Sequence, residues 1–298
     1  MNAAVLERRA FVATPSAAAH SESVRAESAR IALLGIGTVG TALLKRFVSH
    51  SEMPLAQRLR LVYVANSRHA LNANHGLAVD DVAQRLTHAI QPSALEQVAS
   101  TLAGGGTRIV IDATASEAVA ERHAQWLAQG IHVVTACKLG QGTALARWHA
   151  IRAGCARGDA QYGDSATVGA GLPLLRSLRE LQAGGDRIRA IAGVLSGSLA
   201  WLFNRYDGMR PFSVLVRQAR DAGYTEPDPR EDLSGEDARR KLLILSRASG
   251  YRLECDVVEV DSLVTPDLAS MAKCDVVASL PGLYTPLLER FAVSYRNV

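Results

Sequence analysis

The sequence has little of what would mark a metalloprotein, a disulfide scaffold or a membrane protein. Its four cysteines, Cys137, Cys155, Cys255 and Cys274, stand far apart with no C-x-x-C pair among them. That spacing excludes a zinc ribbon, and isolated thiols of this kind suit a reducing compartment, so a cytoplasmic location is expected. The eight histidines form no H-E-x-x-H or similar ligand pattern, so no transition metal is expected. No apolar run approaches the roughly 20 residues that cross a bilayer. There is no internal repeat. The net charge is only +4 and much of the positive charge is arginine scattered over helical stretches, which argues against a nucleic-acid stripe. What remains is a chain of 298 residues, 48% hydrophobic and 21% charged, enough for one large or two medium globular domains.

Residues 1–29 are rich in Ala, Ser and Arg and lack a sustained period, so they read as a flexible leader. Arg8-Arg9-Ala10-Phe11-Val12 faintly resembles a twin-arginine signal, but the apolar stretch behind it is short and broken by Pro15.

The body opens on a dinucleotide-binding signature. Arg30–Leu34 is a short apolar run that reads as a buried strand, and it leads into Gly35-Ile36-Gly37-Thr38-Val39-Gly40 and a helical stretch, Thr41 to Val48. G-x-G-x-x-G has meaning in this setting, between a strand and a helix. Gly35 permits the tight turn, Gly37 lets backbone approach a pyrophosphate, and Gly40 allows close packing, while the helix N-terminus offers free N–H groups. The next strand, Leu59 to Ala65, ends in Asn66-Ser67-Arg68-His69. No acid stands there to take a ribose 2′-hydroxyl, whereas Arg68 suits a 2′-phosphate, so NADP is favoured over NAD; a solvated loop cation is the other reading of Arg68.

Further strands are expected at Thr107–Asp112 and Ile131–Thr135, with a helix between them to about Gly130. This alternation implies an α/β fold, a Rossmann-type doubly wound parallel sheet over residues 30–157. Ligands bind beyond the carboxyl ends of such strands, which brings Gly35–Gly40, Arg68, Thr114 and Lys138 to one crevice. Lys138 could equally be an ordinary lysine after a strand. From 158 to 298 a second, α+β domain is expected: a small-residue turn (Ala166–Pro173) opening a helix, a strand from Asp186 to Leu195, and helices through Asn204, at Ser213–Ala222 and at Ser234–Ser249 with Ser234 as N-cap.

The segment Gly223–Lys241, GYTEPDPREDLSGEDARRK, is the most informative. Glu226-Pro227 and Asp228-Pro229 are held extended, and Asp237 and Lys241, four apart, share a helix face. Taken alone the pair reads as an ordinary surface ion pair. With carboxylates on a stiff loop facing it, it suits a small zwitterionic substrate.

The chain resembles the homoserine dehydrogenases, especially the dehydrogenase half of the fused aspartate kinase–homoserine dehydrogenases. The matching segments are GIGTVG, VANSR, VIDATAS, HVVTACK, TVGAGLP, GVLSGSLAWLF and GYTEPDPREDLSGEDARRKLLIL, in family order from about residue 30 to 255. The resemblance implies reversible NAD(P)-dependent interconversion of aspartate 4-semialdehyde and homoserine, on the route to threonine and methionine. It implies Lys241 as the principal proton donor or acceptor, Asp237 orienting substrate and supporting Lys241, and Lys138 near nicotinamide and substrate. Glu226 and Asp232 would bind the amino group, with Gly223 and Glu226 also near the cofactor. It further implies a monovalent cation such as sodium on the carbonyls of Val168, Ala170 and Leu172, and a homodimer formed through the second domain. A homologue that keeps NADP binding without turnover is the alternative. A semialdehyde dehydrogenase would need a catalytic thiol, for which Cys137 is the nearest candidate.

Two departures stand out. The common T-P-N-K-K-A motif is Thr135-Ala136-Cys137-Lys138-Leu139-Gly140 here, with the first lysine kept and the second absent. The resemblance also implies that the usual C-terminal segment is lacking, the chain closing with a helical region from Cys274 to Arg296; an absent strand would leave an open sheet edge.

Overall fold

The computed structural model describes residues 28–226 and 228–272; the leader up to residue 27, Pro227, Cys274 and the region expected from Cys274 to Arg296 lie outside the described residues. Six strands form one sheet: β1 (Ala29–Leu34), β2 (Leu59–Ala65), β3 (Ala70–Asn72), β4 (Arg108–Asp112), β5 (His132–Thr135) and β6 (Tyr162–Gly163). Their order is β3-β2-β1-β4-β5-β6, parallel throughout except for the antiparallel β2–β3 pair. The four strands expected between residues 30 and 157 all form to within a residue.

Side chains along β1 alternate between two cores, as the strand period of two requires. Ala32 and Leu34 join a cluster with Trp126 and Leu127 of helix Glu117–Ala128 and Ile151 of helix Leu145–Gly158. Ile31 and Leu33 join the other, with Leu44 of helix Thr38–Ser49 and Leu86 of helix Val82–Thr87. Each fully buried leucine or isoleucine contributes ~2 kcal/mol. Both faces being covered, the sheet is doubly wound, as expected.

The register aligns the carboxyl ends: Leu34 lies opposite Ala65 on one side and Asp112 on the other, and Asp112 lies opposite Thr135. The turns that follow these residues therefore share one edge. That edge carries the site.

Beyond residue 163 the regular elements among the described residues are all helices, joined by turns and irregular segments. Helix Phe212–Asp221 buries Phe212, Leu215, Val216 and Ala219, one stripe at helical spacing, in a cluster with Leu202, Leu233 and Leu268. A second cluster joins Val168 and Leu175 to Ile244 and Leu245 of helix Glu236–Ala248.

Two expectations fail here. The strand expected from Asp186 to Leu195 does not form; no strand among the described residues lies beside it, and Val194 is 78% exposed. A strand is made by its pairing, and apolar β-rich sequence without a neighbour leaves N–H and C=O groups to water. Of the two helices here, Arg230–Leu233 and Glu236–Ala248, the second is the one expected over Ser234–Ser249, and Gly235, left-handed at φ +78°, stands at its N-cap in place of Ser234. Ser234 closes the first of them, its hydroxyl accepting from the Glu236 amide at 3.3 Å.

Candidate active site

At the shared strand edge lies a cleft of about 1040 Å³ between the sheet and the helical region. Thr114 and Ala136–Leu139 line it from the sheet side, and Ser196–Ser198, Tyr224, Glu226, Asp228, Arg230–Asp232, Ser234, Asp237, Arg240 and Lys241 from the other.

Its centre is a single carboxylate shared by two ammonium groups. Asp237 Oδ2 is 2.6 Å from Lys241 Nζ, and Asp237 Oδ1 is 3.2 Å from Lys138 Nζ. The Asp237–Lys241 contact follows from their four-residue spacing on one helix. The Lys138 contact comes across the cleft from the end of β5. Lys241 also donates to the Leu195 carbonyl at 2.7 Å. An ammonium has three hydrogens, so Lys241 keeps one for a substrate oxygen. Burial would raise the Asp237 carboxyl, but the Lys241 hydrogen bond and the charges of Lys138 and Lys241 outweigh it and hold it below its ordinary value.

The two walls are fixed to each other close to this cluster. At Gly142 an added Cβ would lie 2.9 Å from both Cβ and the carbonyl oxygen of Arg240, so only glycine permits that approach. Arg247, 3% exposed, donates to the Gln141 carbonyl at 2.5 Å and to the Leu253 carbonyl at 2.8 Å. Lys138 is thus held against Asp237 by backbone contacts on its own loop.

The acidic loop is more internally paired than its sequence suggests. Asp228 is buried and engaged by Arg230 at 2.7 Å, and Arg230 in turn donates to the Leu268, Ala269 and Met271 carbonyls. Asp232 accepts from the Ser198 hydroxyl at 2.7 Å through one oxygen and from the Glu226 amide at 2.8 Å through the other. Glu226 is exposed and lines the cleft. Gly223 is not among the lining residues; it ends helix Phe212–Asp221 at φ +75°, and Tyr224 faces the cleft beyond it.

The glycine turn stands at the same sheet edge, outside the cleft lining. Gly35 has φ +89°, and a Cβ on Gly40 would come 2.0 Å from the Gly35 carbonyl, so both glycines are obligatory. A Cβ on Gly37 would meet nothing within 4 Å. Gly37, Thr38 and Val39 are exposed, the helix behind them has no side-chain cap and no acid in its first turn, and the free amides fit an anion. At the end of β2 the Asn66 side chain accepts from the Arg68 and His69 amides, both at 2.8 Å, and this turn presents Arg68 to solvent.

The turn expected to hold a cation lies away from the cleft lining. Gly169 and Ala170 take left-handed φ of 77° and 44°, Val168 is buried and Leu172 is exposed. Among the described residues no group of His, Cys, Asp and Glu is placed to hold a metal ion, and no helix is long and apolar enough to cross a membrane.

Sequence reasoning missed Ser196, Ser198, Arg230 and Arg240. For Ser198 a signal was present: S-G-S sits at a strand-like segment's end and opens a helix. A stronger signal was composition, since the chain has only four lysines and two of them meet at Asp237.

Residues 35–160 match the family model for the homoserine dehydrogenase NAD-binding domain, and residues 173–280 match that for homoserine dehydrogenase. Homoserine dehydrogenase of Emericella nidulans is 34% identical over 260 residues, covering 81% of this chain and 68% of the relative. The chain belongs to the homoserine dehydrogenase family. The bifunctional aspartokinase/homoserine dehydrogenase 2 of Zea mays is 36% identical over 87% of this chain, which spans only 29% of that relative's length. Among solved structures, a protein of unknown function from Candida auris is 31% identical with a TM-score of 0.77, covering 89% of this chain and 75% of the other. A hyperthermophilic archaeal homoserine dehydrogenase in complex with NADPH shares the fold, with a TM-score of 0.63 at 23% identity over 74% of this chain and 69% of the other.

The thiol of this homoserine dehydrogenase relative is unsuited to nucleophilic work. Cys137 is 3% exposed, and burial followed by the Asp112 charge pushes its thiol up to about 11. Little thiolate exists at neutral pH. Cys137→Ala is expected to keep turnover within about threefold of wild type, the range of a small core change, whereas a catalytic thiol would lose nearly all of it. Steady-state kinetics of the variant checks this.

Proposed function

We propose that the chain catalyses the reversible NAD(P)-dependent interconversion of L-homoserine and L-aspartate 4-semialdehyde, a step toward threonine and methionine. The observation that carries this is the Lys138–Asp237–Lys241 cluster at the edge of a dinucleotide-binding sheet. The nicotinamide, when bound, supplies or takes the hydride at the substrate carbon. The chain's residues manage everything else.

In the reducing direction the carbonyl π pair moves onto oxygen, and Lys241 gives that oxygen a proton which solvent later replaces. Before that transfer the ammonium also stabilises the developing negative charge. Asp237 orients Lys241 and keeps two neighbouring cations compatible. Lys138 adds positive charge beside the same oxygen. Glu226 takes the substrate ammonium. Asp232, which takes the Ser198 hydroxyl on one oxygen and the Glu226 amide on the other, holds the Glu226 backbone and with Glu226 meets the substrate ammonium. The exposed Gly37–Val39 amides, with Gly35, Ile36 and Gly40 shaping the turn, suit the pyrophosphate, and Thr114 with Lys138, which line the cleft, would border the nicotinamide.

Arg68 favours NADP. Arg68→Ala is expected to raise the KM for NADP about tenfold, the scale of one charge-assisted phosphate contact, and to leave that for NAD nearly unchanged. An unaltered NADP-to-NAD ratio would contradict the assignment. A monovalent cation on the Val168, Ala170 and Leu172 carbonyls belongs to the same reading, supported by the left-handed pair at Gly169 and Ala170; activity titrated with sodium against potassium tests it. A homodimer is tested by sedimentation equilibrium. Free thiols at Cys137, Cys155 and Cys255 support a reducing, cytoplasmic setting, which localisation of a tagged chain tests.

A further inference from the structure

Three polar side chains beneath the cleft have no part in the proton and hydride steps. Asp112, at the end of β4, and His123, on helix Glu117–Ala128, are both fully buried, and Tyr162 of β6 lies against the histidine ring. His123 Nε2 is 3.0 Å from Asp112 Oδ2, and His123 Nδ1 is 3.0 Å from the Tyr162 hydroxyl. Burial, reinforced by the Asp164 and Asp112 charges, holds the Tyr162 phenol well above its ordinary range, so it keeps its proton and has a hydrogen to offer Nδ1. The Asp112 carboxylate facing Nε2 can only accept, so Nε2 carries a hydrogen and donates to it.

The other contacts of Asp112 lead to the site. Its Oδ1 accepts from the Thr114 amide at 2.9 Å and from the Thr114 hydroxyl at 2.7 Å. Its Oδ2 accepts from the Thr135 hydroxyl at 3.2 Å, and that hydroxyl accepts from the Cys137 amide at 2.8 Å. A carboxylate at this depth requires such a set of donors. One group therefore fixes the turn after β4, which carries Thr114, and the turn after β5, which carries Lys138. Gly140 closes the assembly: a Cβ there would lie 2.3 Å from the Tyr162 hydroxyl and 3.0 Å from His123 Nδ1. The glycine that departs from the family motif is the one that makes room for Tyr162.

We propose that Asp112, His123 and Tyr162 form a positioning unit that sets Thr114 and Lys138 at the mouth of the cleft, and so sets the nicotinamide against Asp237 and Lys241. The proposal rests on the dinucleotide-dependent reading above. None of the three touches the reacting atoms; each acts through the two turns. A hydrogen-bonded core that merely stabilises the fold is the competing account.

The test compares His123→Gln, His123→Leu and Tyr162→Phe in the full chain. The readouts are NADPH affinity by fluorescence titration, kcat and KM for homoserine, and Tm. Glutamine retains an N–H that can reach Asp112, whereas leucine fills the space without one. His123→Leu is expected to lower kcat between about 10- and 100-fold and to weaken NADPH binding about tenfold, with little change in the KM for homoserine. His123→Gln is expected to restore most of both. Equal behaviour of the two variants, or a lowered Tm with kcat and NADPH affinity unchanged, overturns the proposal. Should His123→Leu not fold, Tyr162→Phe decides: a severalfold fall in kcat at nearly constant Tm supports the unit, and unchanged kcat rejects it. A wild type inactive on homoserine would sink the proposed reaction, while the NADPH affinities of the variants would still settle whether the unit positions the cofactor.

Discussion

Lys241→Ala is expected to reduce kcat for homoserine oxidation about 1000-fold while NADPH affinity is kept, since general acid–base groups contribute on that scale. The reason is local. Lys241 Nζ spends one hydrogen on Asp237 and one on the Leu195 carbonyl, which leaves one for the reacting oxygen. No other lysine of the described residues except Lys138 lines the cleft, and Lys138 approaches from the opposite wall. Alanine removes the proton donor and the positive charge together. Stopped-flow measurement of the hydride step separates this loss from slowed product release. An undiminished step in the variant would assign the proton to another group.

Asp237→Ala is expected to lower kcat/KM about 100-fold although both lysines remain. Without the shared anion, two ammonium groups face each other across the cleft and separate, so the proton donor is present but misplaced. Steady-state kinetics and the Tm of the variant check both halves of this statement. The same contact predicts an acid limit. The folded carboxyl lies below its ordinary value, so its stabilising contribution is fully present above the unfolded value of about 3.9. That contribution is lost as pH falls through the lower, folded value. Tm followed between neutral and acid pH should therefore show a component that appears only below about pH 4 and is missing in Asp237→Asn. A component already titrating near neutrality would contradict it.

The nucleotide half was legible because its chemistry is local. Arg30–Leu34 and Leu59–Ala65 are apolar runs buried on both faces, and G-I-G-T-V-G sits between a strand and a helix, with Gly35 left-handed and Gly40 packed against the Gly35 carbonyl. The i, i+4 relation of Asp237 and Lys241 was readable for the same reason. Lys138 against Asp237 depended on how a strand end meets a distant helix, which no spacing encodes. For Asp232 a sequence shows the carboxylate but not that Ser198 and the Glu226 amide each donate to one of its oxygens. Asp186–Leu195 read as a strand because β-rich composition says nothing about whether a neighbour is there to pair with it. Ser234 fitted a capping pattern that Gly235 broke by turning left-handed. The positioning unit was hidden for a related reason: Asp112, His123 and Tyr162 stand on three separate elements and converge only beneath the sheet edge.

The most direct test of the whole account is oxidation of NADPH on addition of L-aspartate 4-semialdehyde to the purified chain, run beside Lys241→Ala. The account predicts turnover by the wild type that yields homoserine, and its near-complete loss in a variant that still binds NADPH. A folded wild-type chain that binds NADPH and yields no homoserine would contradict it.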